Sequence, residues 1–250
     1  KKPLYWALFG STMIFASELK AIAVHPSFKK QLNLEALNKY LLYEYVPTPL
    51  SIFENVYKLE PATILTGEAK KVSKKKCWEL SGSENNVGFG EAVSILGEEI
   101  ERSTKSRLVS DVPLGIFLSG GIDSSTIAYY AQKNSMEKVK TFSVGFGEKS
   151  FDESEYAKQV ADFLGTEHYN LRLPQSDALE LIPDALMMMD EPLADPSFIP
   201  TLLLSRFTKK YVTVALGGDG GDELFAGYPT FQAHVLANFY KKIPLVLRKG

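Results

Sequence analysis

Cysteine is almost absent: the 250 residues hold one, Cys77. No intrachain disulfide can form, and a reducing cytoplasm is compatible with the chain. Cys77 stands in KKKCWEL with no activating neighbour, so a half-buried strand position is expected for it rather than a nucleophile's role. Histidine is scarce as well. His25, His168 and His234 lie far apart and show no metal-ligand spacing such as HExxH. No apolar run approaches the ~18 residues of a membrane-spanning helix, and no secretory leader is visible. Nor does one sign of charge dominate. Lys and Arg number 28 against 30 Asp and Glu, for a net charge of −2. The one basic run, Lys74, Lys75 and Lys76, reads as a solvated strand end or loop, so nucleic-acid and membrane-surface partners are not expected. What is present is ordinary for a globular protein: 45% hydrophobic and 23% charged residues, enough to bury a sizeable core.

The pattern along the chain changes once. Residues 1–80 read as short strands and turns with one helix. KPLYWALFG and TMIFAS are apolar, β-rich runs joined at Gly10-Ser11, a hairpin signature. NLEALNKYLLYEYV carries Leu34, Leu37, Leu41 and Leu42 at helical spacing, with Asn33 placed as N-cap. SGSENNVGFG, residues 81–90, has the composition of a linker. Beyond an amphipathic helix at 91–107, strand-like runs at 114–118, 140–146, 168–173 and 212–216 alternate with helical patterns near 123–134, 153–164, 176–189 and 198–210. This alternation predicts an α/β domain with a parallel, doubly wound sheet, preceded by a β-rich region. Ligands of such sheets sit at the carboxyl ends of the strands. Both Gly-rich turns of the domain, SGGIDSS and GGDGGDE, fall at such ends.

SGGIDSS has a physical logic. A glycine pair after a buried strand lets the backbone turn and leaves amide groups unscreened by Cβ atoms. A helix starting near Asp123 adds its unpaired N–H groups and its dipole at the same place. Ser119, Ser124 and Ser125 add hydroxyls. Together these make a cradle for phosphate oxygens. The spacing is not that of GxxxxGK[ST], and there is no lysine. A bare anion site should avoid Asp123, but a carboxylate beside phosphates is reasonable when Mg²⁺ lies between them.

LSGGIDSS is similar to the pyrophosphate-binding loop of the ATP pyrophosphatases, whose adenine nucleotide alpha hydrolase-like fold it implies. ALGGDGGDELFAGY, residues 215–228, resembles the signature of the asparagine synthetases within that group. SRLVSDVPLGIFLSGGIDSS, KTFSVGF, FDESEYAKQVADFLGTEHYNL and MDEPLADPSFIPTLLLSR match in type, so the resemblance covers essentially the whole chain. It implies ATP and Mg²⁺ as cofactors, with Asp123 and Asp222 on the metal and Asp219 acting at the intermediate. It places Leu118, Ser119, Gly120, Gly121, Asp123, Ser124, Ser125, Val144, Gly217 and Gly218 around the nucleotide, Val144 bordering adenine through its backbone. It implies residues 1–80 as the last part of a glutamine amidotransferase domain, a linker at 81–90, and the synthetase domain at 91–250. The chain opens KKPLYW without Met and ends at Gly250, so an internal fragment of a longer enzyme is expected. The N-terminal Cys nucleophile and a catalytic Lys are expected outside it. Gly217 stands where the family commonly has Ser.

The implied chemistry is attack of the aspartate β-carboxylate on the α-phosphorus of ATP, release of pyrophosphate, and displacement of AMP from β-aspartyl-AMP by glutamine-derived ammonia. The partners are then small molecules, ATP, aspartate, and glutamine or ammonia, and a homodimer is compatible with the full-length enzyme. Glu191 and Asp195, with Asp190, stand in MDEPLADPS either to meet the substrate α-ammonium or to cap the helix after Pro196. His168 and the methionines Met187, Met188 and Met189 are expected to be structural, the methionines in the core. Two alternatives stay open: a related enzyme that closes a β-lactam or amidates another acid, and a catalytically silent nucleotide-binding module. Residues 1–80 are expected to expose apolar surface and unpaired strand edges, and so to self-associate.

Overall fold

The computed structural model describes residues 3–68, 71–80, 82, 86–146, 152–173, 179–243 and 248. The chain packs as two units, residues 1–86 with 179–200, and residues 87–178 with 201–250. Residues 179–200, within the expected synthetase domain, pack with the first unit. The central part of the expected linker, Ser81, Ser83, Glu84 and Asn85, lies outside the described residues.

In the first unit, β1 (Tyr5–Phe9) and β2 (Thr12–Ala16) form the expected hairpin. Gly10 supplies its positive φ of 64°. β3 (Val56–Lys58) pairs on the other side of β1, giving the order β2-β1-β3. Helix α1 (Leu19–Ala23) and helix α2 (Leu34–Tyr43) pack on this sheet. Tyr5, Ala7, Leu19, Ile22, Ala36, Val46, Ile52 and Val56 form the core. The Asn33 side chain accepts from the Ala36 amide at 3.1 Å, the cap the sequence signals. The leucine spacing predicted the helix but not its covered face: Leu34, Leu41 and Leu42 are exposed, and Ala36 is the buried residue. β4 (Thr63–Glu68) and β5 (Lys71–Lys76) form a separate, largely exposed antiparallel pair that includes the three lysines. Cys77 follows β5 and is exposed, not half-buried, its thiol 3.0 Å from the Ala62 carbonyl.

The second unit opens with α3 (Phe89–Leu108). Four parallel strands follow: β6 (Leu114–Phe117), β7 (Lys140–Phe146), β8 (Glu167–Leu173) and β9 (Val214–Leu216), in the order β8-β7-β6-β9. Between them run α4 (Ile122–Lys133) and α5 (Ser154–Leu164). Helix α6 (Ile182–Met188) belongs to the stretch that packs with the first unit; α7 (Phe198–Thr208) leads into β9, and α8 (Gly221–Phe225) and α9 (Pro229–Lys241) follow it. One core gathers Ile116, Leu118, Ala128, Ala131, Val139, Ala157 and Ala161. On the other face of β7, Phe142 meets Tyr169, Phe207 and Tyr211 at centroid distances of 5.3, 6.2 and 5.7 Å. The sheet is therefore parallel and covered on both faces, as the βα alternation predicted. Gly115 belongs to the same packing: a Cβ there would stand 2.5 Å from the Phe142 ring.

The methionines depart from expectation. Met187 and Met188 are exposed, and Ala185 is the buried residue of α6. Helix α9 buries none of its residues, with Val235, Leu236, Phe239 and Tyr240 exposed along it. Apolar surface of this kind drives association. The 250-residue chain, produced by itself, is expected to elute above its monomer mass in size-exclusion chromatography with light scattering. A monomer across the micromolar range would contradict this.

Candidate nucleotide site at the ends of β6 and β9

β6 is the first strand of the sheet, β7 lies on one side of it, and β9, the last, lies on the other. The chain order reverses between β6 and β9, where open α/β sheets form their ligand crevice. Leu114 to Ile116 of β6 run in parallel register with Val214 to Leu216 of β9. Both Gly-rich turns therefore leave neighbouring strands at the same edge.

The first turn is held by its own serines. Leu118 is buried, and its amide extends the β6–β7 pairing to the Phe142 carbonyl at 2.8 Å. The Ser119 and Ser124 hydroxyls lie 2.9 Å apart. Ser124 Oγ also accepts from the Ser119 amide, and Ser119 Oγ accepts from the Gly121 amide, each at 3.2 Å. Ser119 and Ser124 thus shape the turn. Ser125 is different: its hydroxyl is buried without a hydrogen-bond partner among the described residues. A native hydroxyl in that state calls for a ligand or water. Gly120 has φ of 85°, and a Cβ there would stand 2.6 Å from that of Tyr156, so the first turn of α5 presses against the loop.

The second turn closes on the first. A Cβ on Gly218 would stand 2.7 Å from the Ser124 amide nitrogen and 2.9 Å from the Asp123 Cβ. A Cβ on Gly221 would overlap the Asp123 carboxylate itself. The glycines are thus the gap into which the start of α4 fits. At Gly217 a Cβ would lie 2.7 Å from Asp219 Oδ2, so a serine there would displace that carboxylate. The Asp222 carboxylate folds back over Gly227, whose Cβ it would overlap. Beside it the Tyr228 hydroxyl donates to Glu223 at 2.8 Å. That hydrogen bond, with desolvation and the charges of Glu223, Asp222 and Asp219, pushes the phenol pKa up.

Asp123, Asp219 and Asp222 make no side-chain ion pair among the described residues. No three His, Cys, Asp or Glu side chains converge closely enough among the described residues to hold a metal by themselves. Val144, near the carboxyl end of β7, pairs with Leu171 of β8.

Glu191 and Asp195 are placed otherwise, in the first unit. The Glu191 carboxylate meets Lys58 Nζ at 2.5 Å, the Ile52 amide at 2.7 Å and the Tyr5 hydroxyl at 3.3 Å. Its side chain is nearly buried, and both of its oxygens are engaged by these three donors. Burial, with the Glu191 and Asp190 charges next, pushes the Tyr5 phenol above its ordinary value. Asp190 accepts from the Leu19 amide at 2.7 Å, at the start of α1. Asp195 Oδ1 accepts from the Ser197 amide and hydroxyl at 2.8 and 2.7 Å, the capping arrangement ahead of α7.

Gly218 offers a direct check on the closeness of the two turns. Gly218→Ala sets a methyl against main-chain atoms of α4, which cannot rotate away as a side chain can. It is expected to lower nucleotide affinity at least tenfold and to destabilise by about 1–3 kcal/mol, the usual cost of overpacking. Gly90→Ala, where a Cβ meets nothing within 4 Å, should leave binding unchanged. Equal binding by both variants, measured calorimetrically, would refute the packing described.

The profile of the asparagine synthase family matches residues 96–249, and that of the glutamine amidotransferase domain matches residues 1–78. A putative glutamine-hydrolysing asparagine synthetase 2 of Methanocaldococcus jannaschii is 37% identical over 99% of this chain and 49% of its own length. The glutamine-hydrolysing asparagine synthetase 1 of Bacillus subtilis is 34% identical over 99% of this chain and 39% of its own length. The chain thus spans half or less of these relatives. Among solved structures, an NH3-dependent NAD synthetase from Campylobacter jejuni overlaps 54% of this chain and 60% of its own, at 21% identity and a TM-score of 0.39. No helix among the described residues is long and apolar enough to cross a membrane. On the two profile matches and the relatives that span its length, the chain belongs to the asparagine synthase family.

Proposed function

We propose that residues 87–250 carry the adenylating half of an ATP-dependent amide ligase, with aspartate as the acid activated. The observation that supports this most is the interlock of the two glycine turns, which sets the second, aspartate-bearing turn against the start of α4, beside the unpartnered Ser125 hydroxyl. A site of that composition suits polyphosphate with a divalent cation. Three unneutralised carboxylates would repel the phosphates unless a cation stood between them. Asp123 and Asp222 would hold Mg²⁺, which takes its remaining ligands from phosphate oxygens and water, consistent with so few protein ligands here. When bound it supplies charge neutralisation on the departing pyrophosphate.

The chain's own work is positioning. The amides at the start of α4 and the Ser125 hydroxyl receive phosphate oxygens, and the α4 dipole favours their charge. The Val144 backbone borders the base. The aspartate β-carboxylate then attacks the α-phosphorus, β-aspartyl-AMP forms, and ammonia displaces AMP to give asparagine. In the full-length gene product that ammonia comes from glutamine, through the amidotransferase domain of which residues 1–78 are part.

The test is to incubate the full-length gene product with ATP, Mg²⁺, aspartate and ammonia and identify the nucleotide formed. AMP with pyrophosphate, dependent on aspartate and lost in Asp123→Asn, is the expected result. AMP formed with a different acid would keep the chemistry and change the substrate. ADP, or no turnover with any acid, would refute the proposal.

A further inference from the structure

Beneath α5 the sheet face of β7 is polar where an apolar row is the rule. Thr141, Ser143 and Gly145 share that face, and Thr141 and Ser143 are buried. His168 of β8 lies opposite Thr141 in the register. Its Nδ1 is 2.9 Å from Thr141 Oγ1, and its Nε2 is 3.2 Å from Ser143 Oγ. Thr141 Oγ1 is 3.0 Å from Thr166 Oγ1, which reaches the Ala161 carbonyl at 3.4 Å.

Counting hydrogens fixes the direction of this chain. A neutral imidazole and three hydroxyls bring four hydrogens to four contacts. A carbonyl only accepts, so Thr166 donates to Ala161. Thr141 then donates to Thr166, His168 donates from Nδ1 to Thr141, and Ser143 donates to Nε2. Run the other way, the Ser143 hydroxyl hydrogen has no acceptor in the chain. Protonating the ring has the same effect: both nitrogens become donors, and the Ser143 hydrogen, in a residue only 4% exposed, loses its acceptor. Desolvation already lowers the His168 pKa, Asp162 opposing and Lys158 adding slightly. Those two are the charged α5 groups that reach the ring, and they pair with each other at 2.7 Å. The β7 residues that face it are neutral.

Ser143 precedes Val144, and a Cβ on Gly145 would stand 3.1 Å from the Ser154 side chain at the start of α5. The hydroxyl chain therefore reaches the strand end that carries the proposed base contact. We propose that His168 is a positioning residue for that strand end: as the neutral Nδ1–H tautomer it holds Ser143, and its protonation releases Ser143 and weakens nucleotide binding. This rests on the nucleotide-binding role proposed above.

The test is binding of the non-hydrolysable α,β-methylene analogue of ATP with Mg²⁺ to the full-length gene product, from pH 8 to pH 5, for wild type and His168→Gln. Glutamine can donate and accept as the neutral ring does, and it does not titrate. Wild-type affinity should fall about tenfold more than that of His168→Gln on acidification. Phosphate titration is common to both proteins and cancels. ¹⁵N NMR of labelled histidine should show Nε2 unprotonated at pH 7. Identical pH profiles, or an Nε2–H tautomer, would overturn the proposal alone. No analogue binding at any pH would overturn it together with the nucleotide reading.

Discussion

Asp123→Asn is expected to cut AMP formation by about 10²–10³-fold, the usual consequence of removing one charge stabiliser from a preorganised site. The substitution keeps the size and most of the hydrogen-bonding capacity of the side chain, so the gap left by Gly221 stays filled. What it removes is the negative charge with which Asp123, together with Asp222, would hold the proposed Mg²⁺. Stability should change little. Asp123 lies in the first turn of α4, where its charge favours the helix by about 0.3–1 kcal/mol. It makes no ion pair among the described residues that could be lost. Steady-state AMP release and thermal unfolding, measured on the same preparation, separate the two effects. A fall in activity matched by a large drop in Tm would mean that Asp123 is structural. A loss under tenfold with Tm unchanged would remove it from the metal site.

The elements whose form is set locally were legible in the sequence. KTFSVGF alternates and carries β-branched or aromatic residues, and β7 spans those same seven positions. β9 is shorter than its apolar run for a reason outside the run: the Val212 amide completes the end of α7 on the Thr208 carbonyl, and Thr213 and Val214 both bond to the Pro113 carbonyl. The two glycine turns were visible as turns, but their mutual fit was not. It depends on β9 returning beside β6, which brings Gly218 and Gly221 against Asp123 and Ser124 on a distant stretch of the chain. Ser119 and Ser124 could not be told from Ser125 by residue type, since hydroxyls that build a loop and one left for a ligand look alike in sequence. MDEPLADPS left two readings open, ligand contact or helix capping; Asp195 takes the capping arrangement ahead of α7, while the cation that meets Glu191 is Lys58, 133 positions earlier. Exposed methionines in an apolar helix show the complementary limit: periodicity finds a helix without saying which side is covered.

Lys58→Met should destabilise the first unit by about 3–5 kcal/mol, the range for breaking one side of a buried ion pair. The Lys58 and Glu191 side chains keep 15% and 9% of their exposure, so solvent screens the pair weakly. Lys58 also donates to the Val46 carbonyl at 2.5 Å. Removing it leaves that carbonyl and a nearly buried carboxylate held only by the Ile52 amide and the Tyr5 hydroxyl. Glu191→Leu should cost nearly as much by stranding the ammonium. The double variant Lys58→Met/Glu191→Leu should recover most of the loss, because desolvation of both charges vanishes with the pair. Trp6 is a local reporter: it is 8% exposed, stacks on Tyr57 at 4.9 Å, and lies in the same sheet as Lys58. With Trp78→Phe as background, urea unfolding followed by fluorescence reads the first unit by itself. For a slope of about 2 kcal/mol per M, the single variants should unfold roughly 1.5–2.5 M earlier. Single-variant shifts under about 0.3 M would show that the pair holds nothing. A double variant as weak as either single one would show that the charges, and not their mutual neutralisation, keep residues 179–200 on this sheet.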